Sequence, residues 1–206
     1  MGTVTMAIGA MALFATFMIL CGRLRMSLHA RRTGDSGDRR RAARQLPAQR
    51  GVDALANVGT LGVGVAAPVA ALVGLPPVPP LSATAVQIGG VVVAVVAIGA
   101  VFAAQQTMGA SWRVGLDPAE RTTLVTDGVF GLVRNPIMAG AATMFAGLTL
   151  MVPNVVALVA YVSLVAAIQL QIRRVEEPHL RAVHGADYQR YAATVGRFVP
   201  GLGRLR

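Results

Sequence analysis

The sequence predicts an all-α integral membrane protein with about five transmembrane helices, and two observations carry this prediction. Of the 206 residues, 54% are hydrophobic and only 14% are charged, whereas roughly a quarter of the residues of a soluble domain are charged. Long uncharged stretches alternate with short arginine-rich segments, and about 20 apolar residues are enough to cross a bilayer as a helix. The length therefore leaves no room for a separate soluble domain.

The predicted spans follow one another through short connections. A run of prolines at residues 76–80 separates the second span from the third. Pro153-Asn154 forms a tight turn between the fourth and fifth spans, which together make a helical hairpin. Pro136 suits the first turn of the fourth span, because no N–H donor is needed there. The five spans are predicted at residues 1–22, 52–75, 82–104, 136–152 and 155–172.

The arginines indicate how the spans are oriented. The sequence has no lysine, and its 19 arginines fall into a loop at residues 23–50, a segment at 113–134 and a tail at 173–206. Positive residues are retained on the cytoplasmic side, so we expect these three segments and the C-terminus to be cytoplasmic and the N-terminus to be outside the cell membrane. The first loop is expected to be flexible and to serve topology and headgroup attraction. No basic segment is interleaved with aromatic residues, so no nucleic-acid partner is predicted.

Few residues suit metal or redox chemistry. His29, His179 and His184 are not spaced as metal ligands, so we expect them at the solvated surface and predict no metal site. Cys21 is the only cysteine, which excludes an internal disulfide.

Small residues cluster within the apolar stretches. Gly59, Gly62 and Gly64 lie in the second span, and Gly140 and Gly147 lie in the fourth. The stretch that starts at Gly62 formally matches the dinucleotide-binding fingerprint, but no strand precedes it. We predict that these residues let helices approach closely and that no Rossmann domain is present.

The first polar segment suited to ligand binding lies at the start of the fourth span. Residues 124–138 bring a turn, Arg134 and Asn135 to this helix start. Free backbone N–H groups and the positive end of the helix dipole favour an anionic ligand there. The simpler alternative is an ordinary helix cap with an arginine that reaches the headgroups.

The second polar segment follows the fifth span. Glu176 and Glu177 lie at the membrane boundary, where charges are costly unless they are paired or functional. The hairpin brings them towards Arg134, so we expect the two segments to meet in one pocket. The simpler alternative is ion pairing along the helix, with Arg173 three and four residues before the acids and Arg174 three residues before Glu177.

Four motifs in the second half of the chain form a recognisable series. They are Thr126-x-Gly128-x-Phe130-x-x-x-Arg134-Asn135-Pro136, Arg173-x-x-Glu176-Glu177, Gly185-x-x-Tyr188-x-x-Tyr191 and Arg197-Phe198-x-Pro200. With the hydrophobic hairpin between the first two, the series resembles the isoprenylcysteine carboxyl methyltransferase family, and phospholipid methyltransferases share much of it. The resemblance covers residues 108–200.

This resemblance implies a multi-span enzyme that uses S-adenosyl-L-methionine and binds it without a Rossmann domain. It implies Glu176 as a catalytic residue, together with Arg173 or Arg174, which would face the methyl acceptor. The cofactor site that it implies comprises Thr126, Gly128, Val129, Phe130, Arg134, Asn135, Pro136, Glu176, Glu177 and Tyr188.

The sequence departs from the family pattern within this region. Asn135 stands where the eukaryotic members have histidine, and Met138 stands where tyrosine is usual, so contacts of those side chains are not carried over. The spacing from arginine to the acids is one residue shorter than in some members, which leaves both Arg173 and Arg174 as candidates.

The predicted function is S-adenosylmethionine-dependent methyl transfer to a lipophilic acceptor that enters from the bilayer, most like carboxyl O-methylation of S-isoprenylcysteine. N-methylation of a phosphatidylethanolamine-type phospholipid is the main alternative. A nicotinamide-dependent membrane reductase and a non-enzymatic membrane scaffold are further alternatives. We expect residues 1–107 to form an N-terminal membrane region and residues 108–206 to form the catalytic region of a single structural unit.

Overall fold

The computed structural model describes residues 2–46 and 49–205, and its main elements are five helices. Met1, where the first predicted span begins, and Arg206, the last arginine of the tail, lie outside the described residues. Within the described ranges the chain forms no β-sheet and contains only isolated bridges. The long helices are α1 (Thr3–Thr33), α2 (Gln49–Leu72), α3 (Thr84–Thr107), α4 (Pro136–Met151) and α5 (Val155–Thr194), the last of which is kinked at Gly185.

Four of these helices, α1, α2, α3 and α5, are long and apolar enough to cross a membrane. The fourth predicted span corresponds to α4, which is a shorter apolar helix of 16 residues. The prediction of an all-α, multi-pass membrane protein is confirmed. Over residues 2–46 and 49–205 there are four full-length candidate spans and one shorter apolar helix, where about five spans were predicted.

Glycines let the helices pack at backbone contact distance, as the sequence predicted. A Cβ atom at Gly147 of α4 would lie 2.7 Å from the backbone N of Ala94 and from the backbone O of Gly90 in α3. In the same way, a Cβ atom at Gly59 of α2 would lie 2.6 Å from Leu164 of α5. Such close approach increases van der Waals contact between helices, which is the main attraction available within lipid.

The turn between α4 and α5 is fixed by Asn154. Its side-chain oxygen accepts a hydrogen bond from the backbone N of Ala157 at 3.0 Å and caps α5. Its amide nitrogen donates to the backbone O of Ala67 in α2 at 2.8 Å. Because Asn154 is only 1% exposed, this side chain satisfies buried polar groups of two helices at once. The predicted tight turn and hairpin are confirmed.

The prediction of a flexible loop from residue 23 is wrong for its first part. The helix α1 continues through a π-helical stretch, Met18–Leu24, and ends only at Thr33. Arg25 is 2% exposed; it lies 4.6 Å above the ring of Trp112 and donates to the backbone O of Gln105 at 3.1 Å. The end of α3 and the segment after it thus supply backbone acceptors and an aromatic face that replace water around the guanidinium group.

His29 is also buried, although a solvated position was expected. It is 1% exposed, and its ring lies 5.5 Å from the ring of Trp112. One guanidinium nitrogen of Arg113 lies 3.1 Å from Nε2 of His29. The segment after α3 folds over the last turns of α1 and covers this histidine. His179 and His184 are partly exposed.

The part of the first loop that follows α1 is held by an ionic cluster of Asp35, Arg39, Arg113 and Glu120. Nε of Arg39 donates to Glu120 at 2.8 Å, and Nε of Arg113 donates to the same carboxylate at 2.9 Å. Arg39 also donates to Asp35 at 3.1 Å. The cluster ties the loop after α1 to the segment after α3, so Arg39 and Arg113 have structural partners.

Replacing Glu120 by glutamine should destabilise the protein at pH 7 by about 1–2 kcal/mol. Hydrogen bonds from Arg113 and then Arg39 lower the pKa of Glu120 from 4.5 to about 2. Because the pKa is lower in the folded state, the ionised carboxylate stabilises that state at pH values above the ordinary pKa. This contribution is lost as the pH falls from about 4.5 towards 2. Thermal unfolding in detergent should therefore show a variant deficit at pH 7 that shrinks at pH 3. Asp187→Asn, at an exposed position, is the control; equal deficits at both pH values would contradict the assignment.

Candidate functional site

The two sequence segments singled out above meet at a buried ion pair between Arg134 and Glu177. One guanidinium nitrogen of Arg134 donates to Oε1 of Glu177 at 3.0 Å, and both side chains are almost fully buried. The other nitrogen donates to the backbone O of Ala192 at 2.6 Å and of Val195 at 3.0 Å. Arg134 thus connects the start of α4 to the late part of α5, and the expected approach of Arg134 to Glu177 is confirmed.

Arg197 is the second cation on the same carboxylate. Its Nε donates to Oε1 of Glu177 at 2.7 Å, and a terminal nitrogen donates to Oε2 at 2.9 Å. The two-pronged contact raises the pKa of Arg197. Two guanidinium groups and one carboxylate therefore form a buried triad, which we call the Arg134–Glu177–Arg197 triad. Sequence reasoning quoted Arg197 in a motif but gave it no role in the site.

Backbone hydrogen bonds hold the C-terminal segment beside the start of α4. The backbone N of Arg134 donates to the O of Gly196 at 2.8 Å, and that of Asn135 donates to the O of Arg197 at 3.1 Å. The Asn135 side chain donates to the same oxygen of Arg197 at 3.1 Å. Asn135 thus helps to dock the tail, and its side chain does not cap α4.

The segment that leads to α4 is shaped by Gly128 and by aromatic contacts. Gly128 has a φ of +58° and opens a single 3₁₀ turn, Gly128–Gly131, that also contains Val129. The hydroxyl of Tyr191 donates to the backbone O of Phe130 at 2.6 Å. Tyr188 is 2% exposed and packs near Tyr191, with 6.3 Å between the ring centroids. Thr126 precedes this turn and is partly exposed, and Pro136 is the first residue of α4.

Glu176 and its neighbour Glu177 form hydrogen bonds with different residues. Nε2 of Gln171 donates to Oε1 of Glu176 at 3.3 Å, and Oε1 of Gln171 accepts from Nε2 of Gln49 at 3.0 Å. Nε2 of Gln49 also donates to Asp53 at 2.8 Å. We call Gln49, Asp53, Gln171 and Glu176 the α2–α5 polar network. Sequence reasoning missed its first three members; the only available signal was that Asp53 is the last charge before a long apolar stretch.

Arg173 and Arg174 belong to neither group. Both are exposed, and Arg173 donates to Gln169 at 3.0 Å. In the described part of the chain neither forms an ion pair with Glu176 or Glu177, so the simpler alternative, ion pairing along the helix, is not what the structure shows. The reason is local geometry: α5 is π-helical over Gln171–Glu176, where the wider turn moves residues three and four apart out of register.

The site therefore offers three kinds of group to a ligand. Glu176 is a partly exposed residue, and its carboxylate accepts one hydrogen bond, from Gln171. The first-turn backbone N–H groups of α4, at Ile137 and Met138, have no carbonyl partner within the helix. Arg173 and Arg174 present exposed guanidinium groups one turn away from Glu176. An acceptor for a cation, donors for an anion and a separate cationic surface are thus brought to one end of the helix bundle.

Comparisons with known proteins agree with this architecture. A family model described as phospholipid methyltransferase matches residues 85–187, which is half of the chain. A solved structure of the eukaryotic intramembrane Ras methyltransferase ICMT, an isoprenylcysteine carboxyl methyltransferase, is similar in fold with a TM-score of 0.60 and 16% sequence identity. The similarity covers 96% of this chain and 70% of that one. A search of curated proteins gives no match. The family resemblance expected from the motifs is confirmed, and the chain belongs to the phospholipid methyltransferase family.

Proposed function

We propose that this protein is an S-adenosyl-L-methionine-dependent membrane methyltransferase with a lipophilic acceptor, most like carboxyl O-methylation of S-isoprenylcysteine. The observation that carries the proposal is the hydrogen bond between Arg134 and Glu177, 43 residues apart. This contact joins the segment 126–138 to the segment 173–177 and supports a single site built from both motif segments.

The residues present fit the amino-acid end of the cofactor. That end carries an ammonium group and a carboxylate, which require acceptors and donors respectively. Glu176 supplies an acceptor, and the first-turn N–H groups of Ile137 and Met138 supply donors next to the positive end of the α4 dipole. Both charged groups of the cofactor thus have complementary partners on this chain.

The triad has a positioning role in this proposal. Four of the hydrogen bonds of Arg134 go to Glu177 and to carbonyl groups of the C-terminal part of the chain, including that of Gly203 at 3.1 Å. Glu177 is neutralised by two arginines. Arg134 and Glu177 therefore fix the shape of the site, while Glu176 makes the ionic contact. The walls of the site are formed by Thr126, Gly128, Val129, Phe130, Asn135, Pro136 and Tyr188.

The reaction requires orientation more than acid–base chemistry. S-Adenosylmethionine supplies an electrophilic methyl group, and the protein must hold the acceptor in line with it and exclude water. A guanidinium group of Arg173 or Arg174 binds an acceptor carboxylate through two parallel hydrogen bonds. Such a carboxylate is ionised at neutral pH and needs no general base. The exposed position of both arginines at the end of an apolar helix suits an acceptor whose lipid part stays in the bilayer.

Membership of the phospholipid methyltransferase family favours a second acceptor, the amine of a phosphatidylethanolamine-type lipid. An amine must lose a proton before or during methylation, and Glu176 is placed to accept it. A nicotinamide-dependent reductase and a non-enzymatic scaffold receive no support from this membership.

Transfer of a tritiated methyl group to prenylcysteine analogues and to phosphatidylethanolamine vesicles tests the proposal. Base-labile label on the prenylcysteine indicates a methyl ester, which is the expected product. Base-stable label on the phospholipid indicates N-methylation and the second acceptor. Label on neither substrate class, with protein that remains folded, would contradict both.

We also propose that the arginine-rich segments face the cytoplasm of a cell membrane, because the arginines among the described residues lie at one end of the bundle. Thr33, at the end of α1, and Pro79, between α2 and α3, are both exposed. The variants Thr33→Cys and Pro79→Cys should react with an impermeant thiol reagent from opposite sides of the membrane. The native Cys21 is buried and gives little background. Labelling of both variants from the same side would contradict this orientation.

A further inference from the structure

The α2–α5 polar network contains more hydrogen-bond acceptors than donors. Both N–H groups of the Gln49 amide are used, one on Asp53 at 2.8 Å and one on Oε1 of Gln171 at 3.0 Å. The amide nitrogen of Gln171 then donates to Glu176 at 3.3 Å. Two carboxylates therefore lie at the ends of a chain of two amides, and the amides supply all of its internal donors.

The side-chain oxygen of Gln49 is the acceptor that lacks a partner. Gln49 is 5% exposed, and among the described residues no donor reaches its Oε1 atom. A rotated amide would not resolve this, because the oxygen would then face Asp53 and the oxygen of Gln171, both of which are acceptors. A buried acceptor without a donor is unfavourable, so the network is complete only with an additional donor.

The charge of the network defines what that donor is. Asp53 and Glu176 are both carboxylates, and in the described part of the chain the one cation within 4.0 Å of either is Arg44, which lies 3.7 Å from Asp53 and is largely exposed. An exposed pair of this kind contributes little. The missing group is therefore one that donates hydrogen bonds and carries positive charge, and an ammonium group with three N–H donors meets both requirements.

We propose that the α2–α5 polar network binds the ammonium group of a ligand through Gln49 and the flanking carboxylates of Asp53 and Glu176. The inference rests on the proposed function and deepens it. The ammonium belongs either to the amino-acid end of the methyl donor or to an aminoethyl lipid headgroup. Gln49 and Asp53 lie outside the matched residues 85–187, so the N-terminal half of the chain contributes to ligand recognition.

Calorimetry on detergent-purified protein separates an ammonium site from a structural network. The ligands are S-adenosylhomocysteine and an analogue in which hydrogen replaces its amino group. Gln49→Met and the isosteric Asp53→Asn should each weaken S-adenosylhomocysteine binding about tenfold, because a hydrogen bond to a charged group is lost or weakened. Binding of the deamino analogue should change less than about twofold. The control is Asp187→Asn, which removes the same charge at a position whose side chain is 71% exposed.

A lipid arm distinguishes the source of the ammonium group. Native mass spectrometry of delipidated protein compares retention of phosphatidylethanolamine with that of phosphatidylglycerol. Loss of the preference for phosphatidylethanolamine in both variants, with S-adenosylhomocysteine binding unchanged, supports the proposal with the lipid as source. Unchanged affinity for S-adenosylhomocysteine together with an unchanged preference for phosphatidylethanolamine in both variants, with thermal midpoints like that of the control, would overturn it. Failure of the unsubstituted protein to bind S-adenosylhomocysteine would instead contradict the proposed function, and the lipid arm would still test the network.

Discussion

Arg134→Met should lower the free energy of unfolding by about 3–5 kcal/mol and release the C-terminal segment from the start of α4. Arg134 holds a buried carboxylate and the carbonyl oxygens of Ala192, Val195 and Gly203. Methionine fills much of the same volume but donates no hydrogen bond, so several buried acceptors lose their partner at once. The effect is large because these acceptors have little access to water.

Thermal unfolding and limited trypsin digestion measure this effect. The variant should unfold at a lower temperature, and cleavage after Arg197 and Arg204 should be faster than in the unsubstituted protein. Arg190→Met is the matched control, because Arg190 pairs with Asp187 on the exposed side of α5, where 76% of the arginine side chain is accessible. If both variants lost the same small amount of stability, the buried triad would not hold the tail.

Gly147→Leu should prevent α3 and α4 from packing and should abolish a folded, monodisperse protein. A Cβ atom at this position would lie 2.7 Å from backbone atoms of Ala94 and Gly90. Backbone atoms cannot rotate away as side chains do, so the helices must separate. Overpacking costs about 1–3 kcal/mol where side chains can adjust, and more where they cannot. Because α4 carries Arg134 at its start, the separation should also disrupt the site.

Size-exclusion chromatography and thermal unfolding of Gly147→Leu provide the measurement. Gly99→Leu is the control on the neighbouring helix, because Gly99 is exposed within α3 and a Cβ atom there would meet no atom within 4 Å. Both substitutions add the same side chain to an apolar helix. Equal behaviour of the two variants would show that α3 and α4 do not approach through Gly90 and Gly147.

Local sequence signals were sufficient for the helices and for the meeting of the two motif segments. Apolar length fixes each span, Asn154 marks the hairpin turn, and the hairpin geometry alone brings Arg134 to Glu177. The glycine contacts were predictable as well. In an isolated apolar helix alanine would serve in place of Gly59 or Gly147, so glycine at these positions indicates that another helix approaches closely. These features depend on residues that are near in sequence or on the bilayer itself.

Partners distant in sequence account for what the sequence did not reveal. Polar composition suggested that Arg25 and His29 lie in a flexible loop, but Trp112, more than 80 residues later, provides a surface that buries both. The adjacent acids Glu176 and Glu177 suggested one shared role. They have different partners because the helix is π-helical at Glu176 and because Arg197, from the C-terminal segment, binds Glu177. Neither the widened helix nor the tail contact has a local sequence signature.

The proposed function requires that residues 126–138 and Glu176 form a binding site for S-adenosylmethionine. Calorimetric titration of the detergent-purified protein with S-adenosylhomocysteine tests it most directly. We predict one binding site, with affinity reduced at least about tenfold in Glu176→Gln and unchanged in Asp187→Asn, while both variants keep the thermal midpoint of the unsubstituted protein. Absence of S-adenosylhomocysteine binding by folded protein, together with tight NADPH binding, would contradict the claim.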